Sequence, residues 1–273
     1  MKRGLLALSA TAATLAVAAT AVIYGGLYDI SATDQHLAPT YRILDVAMRR
    51  SIARRAAEIV VPPLDAPPML ERGLSLYDAH CVQCHGAPGV APEPFALGLT
   101  PAPANLAHTA REWPPADLYW VVRNGIKMTG MPAWQFRLAE ADLWAVVAFV
   151  EKLPELSPRD YDELTAALPP GRAQEMPVRN RPDPERGKTA MQQYACVTCH
   201  RIPGLVGPNA PVGPPLDGIG SRTYIAGVLR NEPDNMIHWL RAPQDINPAS
   251  AMPDLGVGEQ DARDFAAYLA TLD

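Results

Sequence analysis

All four cysteines of the chain fall in two copies of one five-residue pattern, Cys81-Val82-Gln83-Cys84-His85 and Cys196-Val197-Thr198-Cys199-His200. A thiol pair two residues apart, taken alone, fits a redox disulfide or half of a zinc site. Here each pair is followed at once by histidine. The pairs lie 115 residues apart, whereas zinc would need all four sulfurs to converge. Cys-x-x-Cys-His is the attachment pattern of haem c. Two thiols add across the two vinyl groups of one porphyrin, one short turn reaches both, and the adjacent imidazole sits under the ring. The pattern thus predicts two covalently bound haem c groups, on Cys81 with Cys84 and on Cys196 with Cys199. His85 and His200 are the expected iron ligands.

An iron of this kind in an electron carrier takes a sixth ligand, and methionine opposite histidine raises the reduction potential. Met131-Pro132 and Met252-Pro253 stand 46 and 52 residues after the respective histidines. Each precedes a final amphipathic stretch, which makes Met131 and Met252 the candidates. A lone methionine is more often core filler, but the repeated context argues against that here. Met128 remains a rival in the first site and Met236 in the second.

Proline, at 29 of 273 residues, is about twice its usual share. Elements are therefore short, loops are long, and parallel α/β architectures with long crossover helices are disfavoured. Each copy of the repeat opens on a short helix carrying Arg-Gly (Arg72-Gly73, Arg186-Gly187) and closes on a helix of 3.6-residue period. Those last helices run from Glu140 to Leu153 and from Glu259 to Leu272. The resulting organisation is a membrane anchor or signal segment at 1–28, a basic amphipathic helix and linker at 29–69 and a first domain at 70–153. A linker rich in proline and charge follows at 154–184, and a second domain at 185–273.

Lys2 and Arg3 precede an uncharged run from Gly4 to Tyr28, long enough to span a bilayer as a helix. Positive charge stays on the cytoplasmic side, so the remainder is expected outside the cytoplasm. Ala19-Thr20-Ala21 also reads as a signal-peptide cleavage site, and both export routes lead to the same compartment. Residues 41–60 mix Ile43, Leu44, Val46 and Ile52 with Arg42, Arg49, Arg50, Arg54 and Arg55. Two readings stand for this stretch: a helix docked on anionic lipid or a partner subunit, or a solvated helix between anchor and domain.

Both repeats resemble class I (mitochondrial-type) c-type cytochromes, small helical domains wrapped round one haem. The resemblance covers about residues 70–153 and 185–273 and implies an all-α fold class, with two tandem cytochrome c domains behind an N-terminal transmembrane helix. In that family the first and last helices cross, and Gly73 with Tyr77, and Gly187, match the crossing positions. The second repeat is more specifically similar to the cytochrome c domain fused to subunit II of some haem–copper oxidases. It carries Gly213-Pro214-Pro215-Leu216, Gly220-Ser221-Arg222, Leu229-Arg230-Asn231, Trp239-Leu240-Arg241 and Met252-Pro253 in the same order. The dicopper half of that subunit has no counterpart, since no cysteines remain. The first repeat resembles bacterial single-haem cytochromes with an Asn-Gly-Ile-Lys-Met-Thr-Gly-Met-Pro loop. In the family a loop proline supplies the carbonyl that orients the axial histidine. Pro214 matches in the second repeat, and Pro103 matches more loosely in the first. Propionate partners by the same resemblance are Arg222 and Trp239, with Arg123, Asn124 and Trp113 as candidates in the first repeat. His36, His80, His108 and His238 are read as ordinary side chains.

Single-electron transfer is the function this reading implies, with no catalytic residues. Expected partners are a terminal haem–copper oxidase as acceptor and quinol–cytochrome c reductase or another cytochrome as donor. The expected location is the bacterial inner membrane, with the haem domains in the periplasm. The cytochrome subunit of a periplasmic dehydrogenase would look the same in sequence, and a dihaem peroxidase would require an open iron position. The net charge of −5 argues against nucleic-acid binding. Residues 64–180 and 181–273 carry nets of −5 and −3, which suits basic partner surfaces.

Overall fold

The helices begin where the prolines are. In the computed structural model, which describes residues 2–33, 36–168, 181–207 and 212–273, nine helices of two turns or more follow one another. They are α1 (Lys2–Tyr24), α2 (Ala38–Ala56), α3 (Pro67–His80), α4 (Pro115–Asn124), α5 (Glu140–Lys152), α6 (Pro158–Ala166), α7 (Pro184–Gln193), α8 (Pro233–Arg241) and α9 (Glu259–Leu269). Six of them carry proline at their first or second position. Its locked φ suits a helix start, and its missing N–H is one that no helix would use there. The closing helices α5 and α9 instead put Glu140 with Asp142 and Glu259 with Asp261 in their first turns, where negative charge meets the positive end of the helix dipole. Among the described residues the only strands are Tyr224–Ile225 and Leu229–Arg230, paired antiparallel. The fold is all-α.

The same crossing occurs twice. Helix α3 packs on α5, and α7 on α9. A Cβ on Gly73 would run into the Ala145 carbonyl, and one on Gly187 into the Asp264 carbonyl. Backbone contact this close leaves room for glycine alone. The arginine before each glycine reaches across to the same closing helix. Arg72 Nε donates to Asp142 at 2.7 Å, and Arg186 Nη1 donates to Asp264 while lying 2.6 Å from Asp261 Oδ1.

The first core collects Leu74, Tyr77, Leu118, Tyr119 and, from the buried run Leu143–Val150, every residue but Ala148. The period of α5 suggests one apolar face, yet all eight residues of that run are buried, because α3, α4 and the 106–109 turn cover it from several sides. Tyr119 stacks on Trp144 with ring centroids 4.0 Å apart. The second core gathers Met191, Tyr194, Met236, Trp239 and Phe265. It also takes in Ala133 and Phe136 from the first repeat, each only 4% exposed.

Two expectations change. The stretch 154–184 is more than a linker. Its α6 starts on a capping box between Ser157 and Asp160, buries Tyr161 and sends the Tyr161 hydroxyl toward Asp78 on α3 at 3.4 Å. Residues 169–180 of that stretch lie outside the described residues. The basic helix α2 is docked on its own chain. Ile52 and Ala56 are buried, α2 packs on α4, and the Arg49 guanidinium lies 5.3 Å from the Trp113 ring centroid. Among the described residues of helix α1 none is buried, and its apolar stretch Gly4–Tyr24, of 21 residues and mean hydropathy 2.0, is long enough to cross a bilayer.

Candidate functional site

Each Cys-x-x-Cys-His segment is wound into a single turn. In the first, the Cys84 and His85 amides both donate to Cys81 O, at 3.1 and 2.9 Å. In the second, the Cys199 and His200 amides donate to Cys196 O, at 3.3 and 3.0 Å. That winding puts two thiols and an imidazole on one short piece of backbone. None of the four cysteines is in a disulfide, and all four residues are half-buried. Burial pushes the Cys81 thiol up to about 12 and the Cys196 thiol up to about 11.

Both histidines are oriented by a loop carbonyl. His200 Nδ1 donates to Pro214 O at 2.8 Å, and His85 Nδ1 donates to Ala104 O at 2.7 Å. A carbonyl only accepts, so Nδ1 carries the proton and Nε2 keeps its lone pair, as a metal-binding imidazole requires. In the first repeat the carbonyl belongs to Ala104, one residue after the expected Pro103. Neighbouring amides cannot both face the ring, so a one-residue difference in loop path decides which carbonyl meets it. Burial also lowers the His85 pKa, which favours the neutral ring. The second loop runs tight against its histidine. Gly213 N donates to Cys199 O at 2.8 Å, and a Cβ on Gly213 would collide with the His200 ring.

The turns are pinned from outside by tyrosines that come from different helices. In the first repeat the Tyr77 hydroxyl of α3 donates to Gly86 O at 2.6 Å. In the second the Tyr268 hydroxyl of α9 donates to Pro203 O at 2.5 Å.

The two Met-Pro loops share one local device. The Met131 amide donates to Thr129 Oγ1 at 3.1 Å and the Met252 amide to Ser250 Oγ at 3.2 Å. Met131 and Met252 are both half-buried. The rival Met128 is 80% exposed with φ near +60°, so its side chain points away from the protein. Met236 lies within α8 and is buried in the second core. Gly125, at φ +67°, lets the first loop close. A side chain there would meet the Met131 carbonyl at 2.7 Å.

The remaining expected site residues are placed as follows. Arg222 is exposed, and its Nη2 donates to the carbonyls of Pro215 at 2.7 Å and Asp217 at 2.9 Å, tying down the loop that carries Pro214. Trp239 is buried in the second core. Arg123 is exposed at the end of α4 and touches Asn124 Oδ1 at 3.4 Å. Asn124 closes that helix by donating to Trp120 O at 2.8 Å. Trp113 lies beneath Arg49. Ala104, Thr129, Ser250 and Tyr268 had no role in the sequence reading, and Tyr77 had one only as a helix-crossing position. The Thr/Ser two residues before each methionine was the one visible signal among them.

Among the described residues no three His, Cys, Asp or Glu side chains converge as they would round a bare metal ion. Two thiols and one imidazole whose Nε2 keeps its lone pair, all on one turn, fit an iron that arrives already held in a porphyrin.

The family model for cytochrome c oxidase, cbb3-type, subunit III matches residues 68–150, and the cytochrome c model matches residues 184–273. A protein named cytochrome c oxidase subunit 2, from Alkalihalophilus pseudofirmus, is 31% identical over 88 residues. That alignment covers 32% of this chain and 25% of the relative, so the chain spans about a quarter of the relative's length. No solved structure matches the chain. With two turns built alike, each followed by a closing helix that crosses the first, the chain belongs to the c-type cytochromes: it is a tandem of two cytochrome c-type domains, an electron-transfer haem protein with a resemblance to oxidase subunits.

Proposed function

We propose that the chain is a membrane-anchored dihaem c-type cytochrome that passes single electrons to a terminal haem–copper oxidase. The observation that carries this reading is the pair of histidines whose Nδ1 protons are spent on loop carbonyls, each on a turn that also bears two free thiols. In this reading Cys81 and Cys84 hold one haem c, and Cys196 and Cys199 hold the other. His85 with Met131, and His200 with Met252, would hold the irons. When bound, haem iron supplies one-electron exchange between its ferrous and ferric states.

The chain's own residues do the rest. Ala104 and Pro214 fix the imidazole planes. Thr129 and Ser250 fix the methionine backbones, which would hold each thioether ready as an iron ligand and leave the metal to carry electrons without binding a substrate. The oxidase as acceptor is supported by the names of the matching family model and of the relative. Quinol–cytochrome c reductase or another cytochrome is the proposed donor. Helix α1 would hold the chain in the bacterial inner membrane with both haem domains in the periplasm.

The test is intact-mass measurement of the mature chain together with absorption spectra. The expected mass exceeds the polypeptide by two haem groups, and Cys84→Ser or Cys199→Ser disturbs attachment of one of them. Met252→Ala should abolish part of the weak sulfur-to-iron absorption band and lower one of two potentials. A mature chain without haem would end the proposal.

A further inference from the structure

The methionine loop of the first repeat is fastened to the second repeat. Immediately after Met131-Pro132, the Ala133 amide donates to Gln193 Oε1 at 3.2 Å. Four residues further on, Arg137 Nη2 donates to the Gln193 carbonyl at 3.1 Å, and its guanidinium lies 4.9 Å from the Tyr194 ring centroid. From the other side, Arg186 lies 5.2 Å from the ring centroid of Phe136. Ala133 and Phe136 are buried within the second core. The second methionine is held within its own repeat, where Met252 O accepts from Gln244 Nε2 at 2.9 Å. Each methionine loop thus has a glutamine clamp, but the first loop borrows its glutamine from the other domain.

We propose that Gln193 is a positioning residue for Met131, so that the sulfur ligand of the first haem depends on contact between the two domains while that of the second does not. The proposal rests on reading Met131 as an iron ligand. Pro132 makes the link stiff, because its ring locks φ. Fixing the Ala133 amide therefore fixes the Met131 backbone one proline away. The loop's internal support is a long bond from the Ile126 amide to Met131 O at 3.3 Å and the Thr129 hydroxyl. Gln193 itself ends α7, three residues before Cys196, so the clamp also joins the first loop to the attachment turn of the second domain. Because the clamp is a side-chain carbonyl, glutamate at 193 can replace it and alanine cannot.

The experiment compares the haem-loaded full chain with Gln193→Ala and Gln193→Glu. Amide hydrogen exchange is followed on peptides covering 131–136 and 250–253, with the sulfur-to-iron band recorded during acid titration. In Gln193→Ala, exchange at 131–136 should rise about tenfold, the effect of one lost hydrogen bond. Exchange at 250–253 should stay unchanged, and one of two band components should disappear at a less acidic pH. Gln193→Glu should restore both near neutral pH. Unchanged exchange at 131–136 would overturn the proposal. So would equal acceleration at 250–253, which would signal general loosening, or a band that ignores the faster exchange. A wild-type chain with no sulfur band would defeat the ligand assignment instead, and exchange at 131–136 would still decide whether the clamp exists.

Discussion

The Thr129 hydroxyl accepts the Met131 amide proton at 3.1 Å and donates its own proton to Ile126 O at 2.8 Å. One side chain therefore closes the loop and fixes the residue proposed as ligand. Ser250 repeats the first of these bonds at Met252. Thr129→Val keeps the shape and removes both bonds in a half-buried place. The expected cost is about 1 kcal/mol, read from denaturant unfolding of the haem-loaded chain, with a weaker sulfur-to-iron band. Ser250→Ala should act on the other band component. A band indifferent to both substitutions would mean that the hydroxyls shape the loops without serving the sulfurs.

Gly73 and Gly187 set how closely the first and last helices of each domain approach. Because the atoms a Cβ would strike are backbone carbonyls of Ala145 and Asp264, no rotamer change can relieve the clash. Gly73→Ala is expected to destabilise by about 3 kcal/mol, the upper part of the usual cost of overpacking a core, and so is Gly187→Ala. Thermal unfolding of each variant checks this. A variant melting with the wild type would mean that the helices separate at little cost.

The arginines beside those glycines look alike in sequence and differ in setting. Arg186 is 10% exposed between Asp261 and Asp264, at 3% and 0%. Asp264 also accepts from the Asp183 amide and from Gln260, both at 2.8 Å, and Asp261 accepts from the Tyr194 hydroxyl at 2.6 Å. Removing Arg186 would strand two buried carboxylates, so Arg186→Ala is expected to cost about 3–5 kcal/mol. Arg72 and Asp142 are 29% and 20% exposed, and water can replace the lost partner. Arg72→Ala should therefore cost no more than about 1 kcal/mol. Equal losses in equilibrium unfolding would show that burial is not what separates the two pairs.

Much of this architecture was legible because it is local. The cysteine–histidine spacing, the Met-Pro pairs and the Arg-Gly dipeptides each lie within a few residues, and they recur. Long-range geometry was not legible. Whether Pro103 or Ala104 faces His85 depends on the path of a loop that starts many residues after the motif. Proline content in 154–184 suggested an open linker. Tyr161 found a buried place on α3, however, and the first proline of α6 merely starts a helix. Similarly, the arginines of α2 suggested lipid, a partner subunit or solvent, while Ile52 and Ala56 carry the packing. The clamp between Gln193 and Ala133 crosses from one repeat to the other, so a comparison of repeats cannot reveal it.

His80 provides a pH test of the packing beside the first attachment turn. Its ring lies 5.1 Å from that of Trp134, centroid to centroid. Burial first, and the positive Arg72 second, lower its pKa below the ordinary histidine value. The unfolded chain then takes up a proton at a higher pH than the folded one. Above about pH 6.5 the ring is neutral in both states and stability does not depend on it. As the pH falls through that value, the unfolded state gains a proton that the folded state refuses, and unfolding becomes easier. Once the pH passes below the depressed folded-state value, the loss levels off. Unfolding free energies of the haem-loaded chain, measured by denaturant from pH 8 to pH 5, should decline over the lower part of this range. His80→Phe keeps an aromatic ring against Trp134 without a titrating group and should flatten the decline. An unchanged slope in that variant would assign the pH dependence to other groups.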